Sequence, residues 1–157
     1  MSVADEVIGA LRTAGATVAT AESLTGGLVC STLVGIAGAS DVVLGGIVAY
    51  AAEAKIELLD VDAELIDDRG TVDPDVAAQM AFGAQEQFNA TYGLSTTGVA
   101  GPGESEGKPE GTVHIAIAGP DGVRTTALQL SGDRHAVRNQ TVDALLSELV
   151  ATLREES

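Results

Sequence analysis

A serine and a lysine lie where two predicted strands end, and together they could perform nucleophilic chemistry. Ser23 lies in the segment 21–27 (AESLTGG), where a β-prone run gives way to a helix, and Lys55 follows the next strand in the segment 50–55. In open α/β sheets, ligands bind at the carboxyl ends of strands. A lysine that is partly desolvated there has a lowered pKa and could act as the base that a nucleophilic serine requires.

Each of these signals also has a purely structural explanation. Ser23 could cap the following helix, with the two glycines after it serving only close packing, because glycines after a strand are a weak signal. Lys55 could form a surface ion pair with a neighbouring glutamate. Only two of the eight cations are lysines, so Lys55 is not one of many solvated lysines. The residues alone leave both interpretations open.

A glycine-rich segment and two arginines could complete a binding site. The segment 96–103 (TTGVAGPG) leads from a strand into a loop that could line the same crevice, or could be a plain surface loop. Arg134 and Arg138 are four residues apart at the start of the last predicted helix, where two cations oppose each other and the helix dipole. A bound anion would relieve that penalty, although neighbouring carboxylates such as Asp133 could also do so.

Several kinds of chemistry find no support in the sequence. The glycine spacing matches neither the P-loop nor the dinucleotide fingerprint. His114 and His135 have no further ligands at metal-binding spacing, so we expect no metal and no organic cofactor. Cys30 falls inside a predicted helix and fits a small buried hydrophobe better than a nucleophile.

The charge balance excludes further classes of function. The 157 residues include 23 Asp and Glu against 8 Lys and Arg, a net charge of −15. Such a chain is unsuited to gripping nucleic acid phosphates or anionic lipid, and its 3% of aromatic residues offers few surfaces for base stacking. The acidic N-terminus and the short apolar runs lead us to expect a soluble, cytoplasmic protein with no nucleic acid or membrane partner.

The elements that position these residues alternate between helix and strand. Helices are predicted over 3–14, 24–34, 53–59, 73–92 and 133–154, with a helical turn over 62–68. Strands are predicted over 17–21, 42–50, 94–97, 112–118 and 123–130, the second of them buried and the last two joined as a hairpin. The length and the absence of a linker predict a single α/β domain over 1–157, with a mixed sheet that is parallel early and antiparallel late.

Five stretches, in order, carry a resemblance to a known family. They are TAESLTGG (20–27), GGIVAYAAEAK (45–55), TGVAGPG (97–103), KPEGTV (108–113), and GDR (132–134) with Arg138. Together they closely resemble the CinA carboxy-terminal domain family, the competence/damage-inducible proteins that include nicotinamide-nucleotide amidohydrolases. The likeness runs from about residue 3 to residue 153.

The resemblance implies a three-layer α/β/α domain that hydrolyses the amide of nicotinamide mononucleotide, giving nicotinic acid mononucleotide and ammonia in pyridine nucleotide salvage. It implies Ser23 as the nucleophile and Lys55 as its base, with Tyr50 and Thr97 assisting. It also implies that the small nucleotide substrate is bound by Thr25, Gly26, Gly27, Gly98, Arg134 and Arg138. N–H groups at the glycine-rich helix start could stabilise the oxyanion.

Two departures and one alternative accompany this hypothesis. The family often has cysteine where this chain has Leu24, so a thiol there is not essential if the activity is kept. Larger members also carry an amino-terminal domain to which nothing here corresponds, and we expect any activity located there to be absent. The same features would fit a non-catalytic nucleotide-binding or regulatory module. The apolar, glycine-rich run over 42–50 and the resemblance lead us to expect a homo-oligomer.

Overall fold

The computed structural model describes residues 1–156, which form six α-helices and five β-strands. The helices are α1 (Val3–Ala14), α2 (Leu28–Val34), α3 (Ala52–Leu59), α4 (Ala63–Arg69), α5 (Pro74–Phe88) and α6 (Arg134–Glu155). The strands are β1 (Val18–Glu22), β2 (Val43–Val48), β3 (Tyr92–Gly98), β4 (Thr112–Gly119) and β5 (Gly122–Gln129).

The strands form one mixed sheet in the order β2-β1-β3-β4-β5. β1 runs parallel to both of its neighbours, whereas β3–β4 and β4–β5 are antiparallel pairs. The predicted mixed sheet is therefore confirmed. Glu22 at the end of β1 pairs in register with Val48 of β2 and with Thr96 of β3. The carboxyl ends of the three parallel strands thus meet at one edge of the sheet.

Helices cover both faces of the sheet, which confirms the expected three-layer α/β/α architecture. On one face α1, α2 and α6 bury a large apolar cluster that includes Leu11, Leu33, Leu94 and Leu149. On the other face α3 and α5 pack against β1 through a smaller cluster of Leu59, Met80, Ala19, Ala21 and Ala84. The small residues of this second cluster bring α3, and with it Lys55, close to the end of β1.

Helix boundaries follow capping chemistry where the sequence supplies it. Asp73 caps α5 by accepting from the N–H groups of Asp75 and Val76, and Pro74 takes the first helical position, as predicted. The end of α5 was wrongly predicted near residue 92: Asn89 adopts a left-handed conformation (φ 50°) and ends the helix after Phe88.

Two further expectations are corrected by the structure. The helix predicted from residue 24 begins only at Leu28, because Gly26 and Gly27 have φ values of 56° and 103° that an α-helix does not allow. β2 is not a buried strand: it lies at the edge of the sheet, and Leu44 and Val48 are 44% and 51% exposed. The homo-oligomer expected from this run stays a prediction.

None of the helices within residues 1–156 is both long enough and apolar enough to cross a membrane.

A pair of glycine substitutions tests the packing of α5 on β3. A Cβ atom at Gly93 would overlap the carbonyl oxygen of Ala81 and crowd Gln85 N, so we expect Gly93→Ala to lower the free energy of unfolding by about 3 kcal/mol. Gly9 is exposed in α1 with open space around it, so Gly9→Ala should instead raise it by about 0.5–1 kcal/mol. Urea denaturation of both variants measures the difference, and equal effects would contradict this packing.

Candidate active site

Ser23 is the first residue beyond β1, and hydrogen bonds of its backbone N–H fix its position. Its N–H donates to the carbonyl oxygen of Thr96 (3.1 Å) and to Thr96 Oγ1 (3.2 Å) on the neighbouring strand β3. Successive side chains of a strand point to opposite faces of the sheet. Glu22 therefore turns towards α2 while Ser23 turns towards α3, where Lys55 lies.

Lys55 and Ser23 are in direct contact in a buried position. Lys55 Nζ lies 2.9 Å from Ser23 Oγ, 2.9 Å from the carbonyl oxygen of Ala49 and 3.0 Å from that of Tyr50. Lys55 is 1% exposed and Ser23 is 7% exposed. Burial lowers the pKa of Lys55 to about 8, and the negative charge of Glu106 offsets part of that effect.

The three partners of Lys55 prescribe how its uncharged form must be oriented. A neutral amine has two N–H donors and one lone pair, and backbone carbonyls can only accept hydrogen bonds. Ala49 and Tyr50 therefore take the two N–H groups, and the lone pair faces Ser23 Oγ, the one partner that can donate. With a pKa of about 8, about one Lys55 in ten is uncharged at pH 7. This geometry suits a serine nucleophile with a lysine base.

Glu22 organises the turn that carries Ser23. Its buried carboxylate accepts from the hydroxyls of Thr20 and Thr25 and from the N–H groups of Gly27, Val29 and Cys30. Because Gly27 at the start of α2 has no side chain to cap the helix, Glu22 does so from a distance. No basic residue within 1–156 forms an ion pair with Glu22, so five neutral donors stabilise the buried charge.

Arg134 and Arg138 hold the walls of the site, but at different places. Arg138 donates from Nε to the carbonyl of Leu24 (2.9 Å) and from Nη2 to that of Thr25 (3.1 Å). Arg134 donates to the carbonyl of Gly101 (2.6 Å) and to Tyr50 Oη (3.2 Å). These acceptors are neutral, so the hydrogen bonds bring no negative charge next to either guanidinium group.

The cations of this region are unlike those elsewhere in the chain. Arg12, Arg69 and Arg124 form ion pairs with carboxylates. Within residues 1–156 no such pair involves the four cations near the site, which are Lys55, Lys108, Arg134 and Arg138. Glu106 offsets part of the charge of Lys55 and Lys108, so Arg134 and Arg138 supply most of the positive charge that favours an anionic ligand here.

A cleft of about 190 Å³ opens beside the dyad. Leu24, Tyr50 and Arg134 line it together with the loop 98–105. Tyr50 is 63% exposed at its rim. Gly98, predicted to bind substrate, lies in the cleft wall, and a Cβ there would crowd Thr112 and Val113 of β4. Close packing against β4 is therefore sufficient to require a glycine at position 98.

Other residues that were predicted for the site form hydrogen bonds with groups outside the Ser23–Lys55 pair or with the backbone of the turn. Thr97 Oγ1 donates to the carbonyl of Thr71 (2.8 Å), and no hydrogen bond in residues 1–156 joins it to Ser23 or Lys55. The N–H groups of Gly26 and Gly27 donate to Ser23 O and to Glu22, so neither is free for an anion in this structure. Thr25 Oγ1 is likewise engaged, with Glu22 and with Thr96.

Three contributors were missed in the sequence. Glu22 stands inside a quoted motif, and the absence of a capping side chain at the start of α2 was a signal that could have assigned it a role. Thr96 lies in the segment 96–103 that was predicted to line the crevice, but its bond to Ser23 was not foreseen, and Glu106 gave no signal, because these partners are more than thirty residues apart in the chain. Among residues 1–156, no group of three or more His, Cys, Asp or Glu could hold a metal ion.

Comparison with known proteins finds relatives that match most of the chain. The model of the CinA C-terminal domain matches residues 1–153. A crystal structure of competence/damage inducible protein CihA from Agrobacterium tumefaciens is similar, with a TM-score of 0.92 and 38% identity over 97% of this chain and 93% of that one. A CinA superfamily protein from Klebsiella pneumoniae has a TM-score of 0.94 and 30% identity, over 98% and 96%.

Curated relatives are similar over only part of their length. A CinA-like protein of Frankia casuarinae is 49% identical over 89% of this chain and 32% of its own length. A CinA-like protein of Anaeromyxobacter dehalogenans is 44% identical over 96% of this chain and 37% of its own length. The chain thus spans about a third of the length of these relatives.

Replacement of Glu22 tests the capping arrangement. In Glu22→Gln, an amide NH₂ must face N–H or O–H donors, so we expect the free energy of unfolding to fall by about 3 kcal/mol. Glu57 is an exposed glutamate of α3 whose side chain forms no hydrogen bond within residues 1–156, and Glu57→Gln removes the same charge with an effect within about 0.5 kcal/mol. Urea denaturation compares the two; similar values would contradict the capping role.

The buried amine of Lys55 makes stability depend on pH. Its pKa is about 8 in the folded chain against 10.5 in the unfolded one, so between these values unfolding takes up a proton and stability rises with pH. Relative to Lys55→Met, the wild type should gain about 3 kcal/mol from about pH 8 to about pH 10.5. Denaturation of both proteins at several pH values measures this gain, and a difference that stays constant would show that Lys55 is not desolvated.

Proposed function

The chain belongs to the CinA C-terminal domain family, and we propose that it hydrolyses the carboxamide of nicotinamide mononucleotide to nicotinic acid mononucleotide and ammonia. The observation that carries this proposal is the buried hydrogen bond of 2.9 Å between Lys55 Nζ and Ser23 Oγ. The reaction would serve pyridine nucleotide salvage and would need neither metal nor organic cofactor. Because the chain is shorter than its curated relatives, the proposal concerns this domain alone.

In the first half of the proposed reaction, Ser23 Oγ attacks the carboxamide carbon while Lys55 accepts the hydroxyl proton. The resulting tetrahedral intermediate carries an oxyanion. Its collapse breaks the C–N bond as the Lys55 ammonium returns the proton to the leaving nitrogen. Ammonia departs, and the acyl group remains on Ser23 as an ester. The positively charged pyridinium ring withdraws electrons from the carbonyl and so assists the attack.

In the second half, water replaces ammonia. Lys55, again uncharged, takes a proton from the water as its oxygen attacks the ester carbonyl. The second tetrahedral intermediate collapses, the carboxylic acid leaves, and Ser23 Oγ regains its proton from Lys55. The dyad is then in its starting state, with one water consumed and one amide hydrolysed.

Backbone donors next to Ser23 are suited to the oxyanion. The N–H groups of Leu24 and Thr25 donate no hydrogen bond within residues 1–156, in contrast to those of Gly26 and Gly27. Arg138 fixes this turn by holding the carbonyls of Leu24 and Thr25. One such preorganised donor is worth about 3–4 kcal/mol of transition-state stabilisation in acyl transfer.

The cleft offers the remaining contacts that a mononucleotide needs. The exposed ring of Tyr50 gives a flat surface at the rim for the pyridinium, and its hydroxyl is held by Arg134. Arg134 and Arg138 carry uncancelled positive charge towards the substrate phosphate. Thr97 assists indirectly by fixing the carbonyl of Thr71.

Ammonia release from nicotinamide mononucleotide by the purified chain tests the proposal. We expect Ser23→Ala and Lys55→Met to lower kcat/KM by at least about 10³-fold, because the nucleophile or its base is lost. Ser147 is an exposed serine of α6, and Ser147→Ala should keep the wild-type rate. Since the uncharged form of Lys55 is the base, kcat/KM should rise about tenfold per pH unit up to about pH 8 and then level off.

Two outcomes would contradict the proposal in different ways. Binding of the nucleotide without ammonia release by the wild type would favour the non-catalytic module. Equal release by the wild type and Ser23→Ala would leave the reaction in place and remove Ser23 as the nucleophile.

A further inference from the structure

Glu106 occupies an unusual position in the loop 99–111. Its backbone is left-handed, with φ of 54°, a conformation that favours glycine. Its carboxylate accepts from Thr71 N (3.0 Å to each oxygen), from Thr71 Oγ1 (2.7 Å) and from Val72 N (3.0 Å). Gly70 leaves the room for this approach, since a Cβ there would lie 2.5 Å from Glu106 Oε1. We call this set of bonds the Glu106 clasp.

The Glu106 clasp is joined to the dyad through a continuous set of contacts. The carbonyl of Thr71 accepts from Thr97 Oγ1, and the adjacent residue Thr96 holds the N–H of Ser23. In residues 1–156, Glu106 forms no direct ion pair, although the nearby Lys108 offsets part of its charge. The hydrogen bonds from Thr71 and Val72 hold the pKa of Glu106 below its ordinary value, although burial acts in the opposite direction.

We propose that Glu106 is a positioning residue for the Ser23–Lys55 pair: the clasp fixes one negative charge of the loop 99–111 where it sets the electrostatic potential at Lys55 Nζ. As a role in catalysis, this inference rests on the proposed function. Burial alone makes the Lys55 ammonium release its proton more readily, which favours its role as a base. The negative charge of Glu106 stabilises the ammonium slightly, so that it keeps the proton until the leaving nitrogen accepts it. Glu106 would thus balance the base and acid duties of Lys55.

The other charges around Lys55 are distributed differently. On its own helix, Glu53 and Glu57 are exposed to solvent and no hydrogen bond within residues 1–156 fixes their carboxylates, whereas Glu106, which is also exposed, is held by the clasp. Arg134 approaches through Tyr50 Oη, Lys108 lies beside Glu106, and Asp73 and Asp75 across the site pair with Arg69. Of these groups, Glu106 is the one whose charge raises the pKa of Lys55 against the effect of burial.

Removal of the charge can be followed directly, because the chain has only two lysines. With lysine labelled by ¹³C at Cε, the NMR spectrum contains two side-chain signals, and Lys108→Arg assigns them. We expect Glu106→Gln to move the titration midpoint of Lys55 to lower pH. Glu104 is an exposed glutamate of the same loop whose side chain forms no hydrogen bond in the described part of the chain, and Glu104→Gln should move the midpoint far less.

A second variant separates position from charge. Glu106→Asp keeps the carboxylate but shortens it by one methylene, so it no longer reaches Thr71 and Val72, and the midpoint should again fall. This variant also decides the test if Glu106→Gln does not fold. Equal midpoints in the Gln variants of Glu106 and Glu104, a rise in either variant of Glu106, or a wild-type midpoint in Glu106→Asp would each overturn the inference.

Activity gives a separate readout. In an active wild type, the acid limb of kcat/KM should move to lower pH in Glu106→Gln by the same amount as the NMR midpoint, and a limb that stays in place would refute the role in catalysis. If the wild type releases no ammonia from nicotinamide mononucleotide, the proposed function fails, while the NMR titration still decides whether Glu106 sets the potential at Lys55.

Discussion

The carboxylate of Glu22 is the acceptor around which the functional edge of the sheet is built. A buried charge without a cation must be stabilised by hydrogen-bond donors, and Glu22 obtains them from the chain segment that follows it. The segment can wrap around the carboxylate only because Gly26 and Gly27 take positive φ values. Ser23 is thereby fixed on the opposite face, against Lys55.

The burial of Lys55 against Ser23 disfavours the folded state and at the same time favours proton transfer by Lys55. A buried ammonium is unfavourable, and the same desolvation lowers the pKa of Lys55 to about 8, where an amine can both accept and return a proton. The carbonyls of Ala49 and Tyr50 orient the amine, and their position follows from the end of β2 beside β1. The layered fold therefore determines the direction of the lone pair as well as the location of the residue.

Local chemistry in the sequence predicted the order of helices and strands, the Asp73–Pro74 helix start and the late antiparallel hairpin. The exposure of β2 could not be predicted from its sequence, because an apolar run is found in central strands and in edge strands alike. Only the order of the strands in the sheet, which the run itself does not report, places β2 at the edge. The proximity of Ser23 to Lys55 was expected and is observed at 2.9 Å, but the catalytic roles stay predictions. The Glu106 clasp depends on contacts between residues 35 positions apart, which periodicity does not report.

The two arginines at the cleft, Arg134 and Arg138, lie in a chain of net charge −15 and form no ion pair within residues 1–156, which has a consequence for encounter rates. An anionic ligand that approaches the protein is first repelled by the net charge, over distances up to about the Debye length, whereas within the cleft it meets the local positive groups. Moderate salt screens the distant repulsion more than the close contacts. Association of an anion with this protein should therefore become faster as ionic strength rises, the reverse of the usual behaviour of a positively charged enzyme towards an anionic substrate.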